Sequence, residues 1–156
     1  MKIVRFLYLL LLGAASCFAQ SKAPVINFAE TTGMVGIADG ETARFNVMNP
    51  GAVAPAVGVV CTAALAFVNT DGVTVKLLTV TVPPGRSASF DLTSDTDLGL
   101  AAGDRAEVRA VITVPAIPAT ATSPAAPSCS LIPTLEVFDT LTGRTQVVVS
   151  QVQAVP

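Results

Sequence analysis

The sequence predicts an all-β protein, a two-sheet antiparallel sandwich of about eight strands. Three observations lead to this prediction. After residue 24, short runs of Val, Ala, Thr, Leu and Phe are separated by Gly, Pro, Asn and Asp. In several runs apolar and polar residues alternate, which is the period of a half-buried strand. No 3.6-residue apolar period is sustained after residue 19. The regular strand spacing favours a sandwich over a barrel, although a barrel is not excluded.

One strand is expected somewhere within 25–38, and the next two over 41–49 and 57–69. Alternation over 41–49 ends at Asn49-Pro50-Gly51 and predicts one buried and one wet face. The inward residues there are Ala43, Phe45 and Val47. Over 57–69 both alternating faces are apolar. This second pattern predicts a central strand that is covered on both sides.

A hairpin and a short strand follow. Asn69-Thr70-Asp71-Gly72 supplies the small residues and the glycine of a tight turn, which joins 57–69 to a strand over 73–82. Pro83-Pro84-Gly85 ends that strand, and alternation over 87–92 predicts a half-buried strand. Its inward residues are Ala88, Phe90 and Leu92.

The alternation is clearest over 105–114. Its inward residues are Ala106, Val108, Ala110 and Ile112. Residues 115–128 hold four prolines among Ala, Thr and Ser, so this Pro/Ala-rich loop is expected outside any ladder. Strands over 129–139 and 144–152 close the chain as a second hairpin, in which Pro133 marks a bulge or an edge.

Three phrases carry a resemblance to a known class of domain. They are GETARFNVMNPG, CTAALAFVNTDGVTV and TVPPGRSASFDL. Their succession of strands and turns, from Glu41 to Leu92, resembles bacterial immunoglobulin-like and fibronectin-III-like domains, and PGRSAS is similar to cell-adhesion-related bacterial modules. The resemblance implies an immunoglobulin-like sandwich. It implies no activity, because one fold hosts many functions.

Residues 1–19 have the pattern of a secretory signal peptide. Lys2 and Arg5 precede an apolar run over 6–12, and Ala19 is the small residue expected before a cut at Gln20. The run is shorter than the roughly 20 residues that cross a bilayer. We therefore expect a secreted or periplasmic product, with residues 20–156 as a single β-sandwich domain. As an alternative, residues 14–17 resemble a lipobox, which would anchor the protein through a lipid on Cys17.

The composition after residue 19 excludes several classes of function. The chain contains no His, and its one Tyr lies in the leader together with two of its nine basic residues. Without His there is no Ser-His-Asp or Cys-His system and no imidazole metal ligand, so no catalytic residue is expected. Seven basic against eleven acidic side chains without a basic cluster argue against binding nucleic acid.

Two cysteines remain after residue 19, Cys61 and Cys129, 68 positions apart. In an exported chain they are expected to form one disulfide. A reactive thiol pair is the disfavoured alternative, because no CxxC spacing and no basic neighbour is present.

Two segments are candidate sites. The acidic loop 91–104 offers carboxylates that suit a hard cation such as calcium. It lacks the D-x-D-x-D-G pattern and the glutamate at position 12 of an EF-hand, so a solvated turn is favoured. Its candidate ligands are Asp91, Asp95, Asp97 and Asp104. The Pro/Ala-rich loop 115–128 is the other candidate, as a recognition surface or, preferably, a passive linker.

These observations predict an exported, non-enzymatic structural or interaction module of the bacterial cell envelope or the extracellular space. Its partner is an unknown protein or cell-surface component. No cofactor, no nucleic acid and no transmembrane segment in the mature chain are expected. The alternative is a small ligand- or calcium-binding sandwich that uses residues 91–104.

Overall fold

A computed structural model describes residues 28–51, 58–115, 129–150 and 152–154. Within these residues the chain forms ten strands and no helix. The strands are β1 (Phe28–Thr32), β2 (Val35–Ala38), β3 (Glu41–Met48), β4 (Cys61–Asn69), β5 (Thr74–Val82), β6 (Ser87–Thr93), β7 (Arg105–Val114), β8 (Ile132–Asp139), β9 (Thr145–Val149) and β10 (Val152–Ala154). They form two antiparallel sheets, which confirms the predicted all-β two-sheet sandwich.

The larger sheet has the strand order β10-β1-β7-β4-β5, and β2 also pairs with β7. The smaller sheet has the order β6-β3-β8-β9. After β3 the chain crosses to the larger sheet for β4 and β5, returns for β6, and crosses again for β7. This alternation between sheets is compatible with an immunoglobulin-like sandwich.

The predicted inward faces of β3, β6 and β7 form much of the core. In β3, Ala43, Phe45 and Val47 are fully buried. Thr42 differs from the prediction, since it belongs to the face expected to be wet but is buried. Its hydroxyl lies 2.8 Å from the hydroxyl of Thr140, so the turn after β8 covers this end of β3.

Three phenylalanines join the two sheets. Phe67 of β4 lies 6.3 Å from Phe45 in an edge-on arrangement and 5.3 Å from Phe90, measured between ring centroids. Phe45 and Phe90 face each other across β3 and β6. The larger sheet therefore inserts one aromatic ring against a pair of rings on the smaller sheet, where they pack in the edge-on and tilted geometries that aromatic rings prefer.

Instead of the single N-terminal strand predicted somewhere within 25–38, the chain forms two strands there. β1 and β2 lie end to end along the same side of β7, and their registers differ by one residue, because Thr31 pairs with Val111 but Val35 pairs with Val108. The extra residue interrupts the ladder as a bulge does. The Thr32 hydroxyl accepts the Ala110 N–H at 2.9 Å at this interruption.

Three other predicted strands differ from the structure by more than one residue at an end. The strand predicted over 57–69 begins at Cys61, because the Val59 carbonyl accepts the Asn49 side-chain amide instead of joining a ladder. The strand predicted over 129–139 begins at Ile132. The last predicted strand, 144–152, divides into β9 and β10, which lie in different sheets. These divisions raise the number of strands in the described residues from the predicted eight to ten.

Both predicted hairpins are confirmed. In the β4–β5 turn the Asn69 side-chain oxygen accepts the N–H groups of Asp71 and Val73, and Gly72 has a φ of 77°. In β8, Pro133 pairs with Val47 of β3, whereas pairing with β9 begins at Leu135. At Pro133 the strand therefore has a paired neighbour on one side only, which suits a residue without an N–H.

Asn49 connects three segments at one end of the sandwich. It is buried, and its side-chain amide donates to the carbonyls of Val59 at 2.7 Å and Val82 at 2.9 Å. Its side-chain oxygen accepts the Gly51 N–H at 3.1 Å. One side chain thus supplies hydrogen-bond partners to backbone groups at the end of β5, just before β4 and in the turn after β3. Without Asn49 these backbone groups would lose that partner.

Replacing Asn49 with alanine is expected to lower the free energy of unfolding by about 2 to 3 kcal/mol, because buried carbonyls lose their donor. Urea denaturation measures the loss as a shift of the midpoint at constant slope. Asn46→Ala is the matched control, since Asn46 is half-buried and makes a single 3.3 Å contact to Glu136. Equal losses in the two variants would contradict a linking role for Asn49.

Cys61 and Cys129 are joined in the structure, with their Cα atoms 5.5 Å apart, in agreement with the predicted disulfide. Cys61 is the first residue of β4 and is buried. Cys129 precedes β8. Because β4 and β8 belong to different sheets, the bond ties the two layers of the sandwich together.

Candidate interaction surface

The four carboxylates of loop 91–104 that were candidate ligands in the alternative calcium-binding hypothesis do not form a common cluster. Asp91 lies in β6 and binds Arg44 of β3 with two hydrogen bonds, each 2.7 Å long. These bonds raise the pKa of Arg44 above its ordinary value. The Arg44 guanidinium also stacks over the ring of Phe138, 5.0 Å from its centroid. Asp91 is thus engaged on the outer face of the smaller sheet.

Asp97 is bound to the opposite sheet. Its carboxylate accepts the Lys76 ammonium at 2.6 Å and the Thr93 N–H at 2.8 Å. Burial alone would raise the pKa of Asp97, but the hydrogen bonds from Lys76 and Thr93 outweigh it and lower this pKa below its ordinary value. The Lys76 ammonium also lies 5.7 Å from the centroid of Phe90. These contacts connect β5 to β6 and the turn after it.

The other two carboxylates cap turns. Asp95 accepts the Thr96 N–H, and Asp104 accepts the Ala101 N–H. In the described part of the chain no group of three or more Cys, Asp or Glu side chains is placed to hold a metal ion. Turn capping of the kind favoured from the sequence describes Asp95 and Asp104, whereas Asp91 and Asp97 form ion pairs with other strands. Calcium binding by loop 91–104 stays the alternative hypothesis, and a rise in melting temperature with calcium over an EDTA control would test it.

Several sequence predictions concern residues outside the described ranges. These are the leader 1–19 with its Ala19–Gln20 cut, the alternative lipid site at Cys17, and residues 116–128 of the Pro/Ala-rich loop.

The exposed apolar side chains include a group at one edge of the larger sheet. Val73, Leu77 and Leu78 are 57%, 63% and 41% exposed, and all lie in β5 or immediately before it. Among the described strands β5 pairs with β4 alone, so the backbone of its other side has no strand partner there. An edge of this kind is a template for pairing with another strand.

β5 is apolar on both of its faces. Leu78 pairs with Leu65 on the core side of β4, whereas Leu77 pairs with Ala66 on the outer side. A bulge displaces Val75 near the start of the strand, and regular pairing with β4 extends from Lys76 to Val82. Proline and inward-pointing charges usually protect an edge. The seven-residue segment Lys76–Val82, which we call the β5 edge, contains no proline. Its one charge, Lys76, lies on the core side opposite Phe67, but Asp97 neutralises it in an ion pair.

A second surface lies between β2 and β9, on the opposite side of the sandwich. It is a groove of about 370 Å³ that Met34, Val147 and Val149 line together with Glu41, Arg105 and Gln146. The Arg105 guanidinium lies against Gly36, where a Cβ atom would collide with it. Glu41 accepts the Ala38 N–H at 2.8 Å, so part of the polar lining already has a partner. Both flanking strands are shorter than the β5 edge.

No protein-family model, curated protein or solved structure matches this chain. The fold alone assigns the protein to a class. It is an all-β sandwich of two antiparallel sheets with one disulfide, and it is compatible with an immunoglobulin-like module. The described residues contain no helix of the length and apolar character that a membrane-spanning helix requires.

Proposed function

We propose that the protein is an exported, non-enzymatic interaction module of the bacterial cell envelope or the extracellular space, and that it binds its partner by adding a strand at the β5 edge. The observation that carries the proposal is the combination of exposed leucines on β5 with an edge that no described strand covers. Strand addition draws affinity from main-chain hydrogen bonds and specificity from alternate side chains.

The absence of His from the whole chain supports the non-enzymatic part, since the usual general base is missing. The carboxylates of loop 91–104 are engaged in ion pairs and turn caps. Export is supported by the leader-like residues 1–19 and by the paired cysteines, because disulfides persist in oxidising compartments.

A photo-crosslinking amino acid at position 77 tests the interaction part. The full chain, with residues 1–19 in place, is expressed in the bacterium that carries its gene and irradiated. We expect discrete adducts from position 77, whose leucine is 63% exposed on the edge. The matched control is position 141, whose leucine is 94% exposed at the tip of the β8–β9 turn. If position 77 gave no adduct, or the same adducts as position 141, the β5 edge would not be the binding surface.

Fractionation of the same cells tests export. We expect the chain outside the cytoplasm, with Cys61 and Cys129 oxidised and, by mass spectrometry, Gln20 at its N-terminus. An acylated Cys17 would instead establish the lipid anchor. A cytoplasmic chain that retains residues 1–19 and two free thiols would overturn the proposal.

A further inference from the structure

We infer that the strand that covers the β5 edge is the β5 edge of a second copy, so that two larger sheets join antiparallel across a twofold axis at Thr79. The inference rests on the proposed interaction function and names its partner. Antiparallel pairing about a twofold axis keeps each side chain on its own face of the joined sheet. Side chains alternate between the two faces along a strand, so two paired residues on the same face have numbers that are both odd or both even. Their sum is then even, and a register centred on a single residue meets this condition.

The length of the regular segment selects the centre. Pairing with β4 is regular from Lys76 to Val82, and Thr79 is the midpoint of that segment. With Thr79 on the axis all seven residues overlap. Leu78 then faces Val80 of the second copy on the core side, and Leu77 faces Thr81 on the outer side. Both leucines, 41% and 63% exposed in one copy, gain an apolar or β-branched neighbour.

Charge favours a second copy over a charged partner. The only charged side chain of the β5 edge is Lys76, and Asp97 of the same chain holds its ammonium at 2.6 Å. The edge therefore offers little net charge to attract an acidic or basic strand, and it matches a neutral one such as itself.

The same register keeps the two lysines apart. In the pair Lys76 faces Val82, so the two lysines lie at opposite ends, about 20 Å apart at roughly 3.3 Å per residue. This separation exceeds the Debye length of about 8 Å at physiological ionic strength, so their repulsion is screened.

Analytical sedimentation measures whether the protein dimerises. The full chain is expressed in a bacterial host and is recovered in the form that the host releases. Seven residues form a small interface, so we expect a reversible dimer with a dissociation constant in the micromolar range. Thr79→Lys places two lysines opposite each other on the axis and is expected to weaken the dimer about tenfold or more, because like charges juxtaposed across an interface cost more free energy than a tenfold change in affinity represents. Thr145→Lys makes the same change in an exposed residue of β9, the edge of the other sheet, and should leave the dimer intact.

A cysteine at the axis tests the register. Paired residues of antiparallel strands have Cα atoms about 4.5 to 5.5 Å apart, within the range that a disulfide spans. Under mild oxidation Thr79→Cys is expected to give a covalent dimer on a non-reducing gel, and Thr145→Cys is not. Thermal melting confirms that each variant is folded.

Each outcome separates this inference from the proposed function. A monomer at 200 µM (roughly two orders of magnitude above a micromolar constant), or a dimer that Thr79→Lys leaves unchanged, overturns pairing of two copies at β5. In either case adducts to a different protein from position 77 would still support the interaction module. If position 77 also gave no adduct in cells, both the inference and the proposed function would fail.

Discussion

Replacing Phe67 with alanine is expected to remove about 3 to 5 kcal/mol from the free energy of unfolding, the range for a buried aromatic side chain deleted from a core. Phe67 is fully buried and is the ring by which the larger sheet contacts Phe45 and Phe90 of the smaller one. Its removal leaves a cavity between the layers, where neither sheet can close the gap without shifting its strands. For a domain of ordinary stability, about 5 to 15 kcal/mol, this is a large share of the total.

Urea denaturation of Phe67→Ala and Phe138→Ala compares the same substitution at two positions, so any difference in stability loss reflects the position of the ring. Phe138 is only half-buried, on the outer face of β8 beneath the Arg44 guanidinium, so its truncation removes less burial and leaves no enclosed cavity. We expect the Phe138 variant to lose less than half as much stability. Similar losses would show that the contact between the sheets does not depend on the Phe67 ring.

Local patterns in the sequence were sufficient for most of the strands and both hairpins. Alternation identifies the inward residues of β3, β6 and β7, because a half-buried strand must place every second side chain in the core. The Asn69–Gly72 turn is also encoded locally, since the Asn69 side chain and the glycine φ lie within the turn itself. Features of this kind depend on neighbours within a few positions.

The features that the sequence did not reveal depend on distant residues. The division of the N-terminal strand into β1 and β2 depends on a one-residue change of register along β7. Asn49 has the sequence context of a turn, yet its amide satisfies carbonyls 10 and 33 positions away. Neither partner lies within the two to four positions over which a turn side chain bonds its own backbone.

The candidate site was predictable to a smaller extent. Asp91 was a possible metal ligand in the sequence, but its partner is Arg44, 47 positions earlier and adjacent only because β3 pairs with β6. The strand over 73–82 was predicted, but its place at an edge was not. Apolar residues on both faces are typical of an inner strand. Only the order of strands in the sheet shows that β5 has one paired neighbour in the described residues.

Loss of the Cys61–Cys129 disulfide is expected to lower the free energy of unfolding by about 4 kcal/mol on the chain-entropy model. The bond closes a loop of 68 positions, so the unfolded chain gains many conformations when it is broken. It also holds the first residue of β4 to the segment before β8, and these strands lie in different sheets. Without the bond, no covalent link joins the start of β4 to the segment just before β8.

Urea denaturation with and without dithiothreitol measures this contribution, and the double variant Cys61→Ala/Cys129→Ala provides the control. The reduced wild-type chain and the double variant should unfold at similar, lower urea concentrations, and the double variant should not respond to dithiothreitol. Because Cys61 is buried, its alanine variant also loses a little packing, so it should be the slightly less stable of the two. An unchanged midpoint after complete reduction, verified by thiol titration, would show that packing between the sheets maintains the sandwich without the bond.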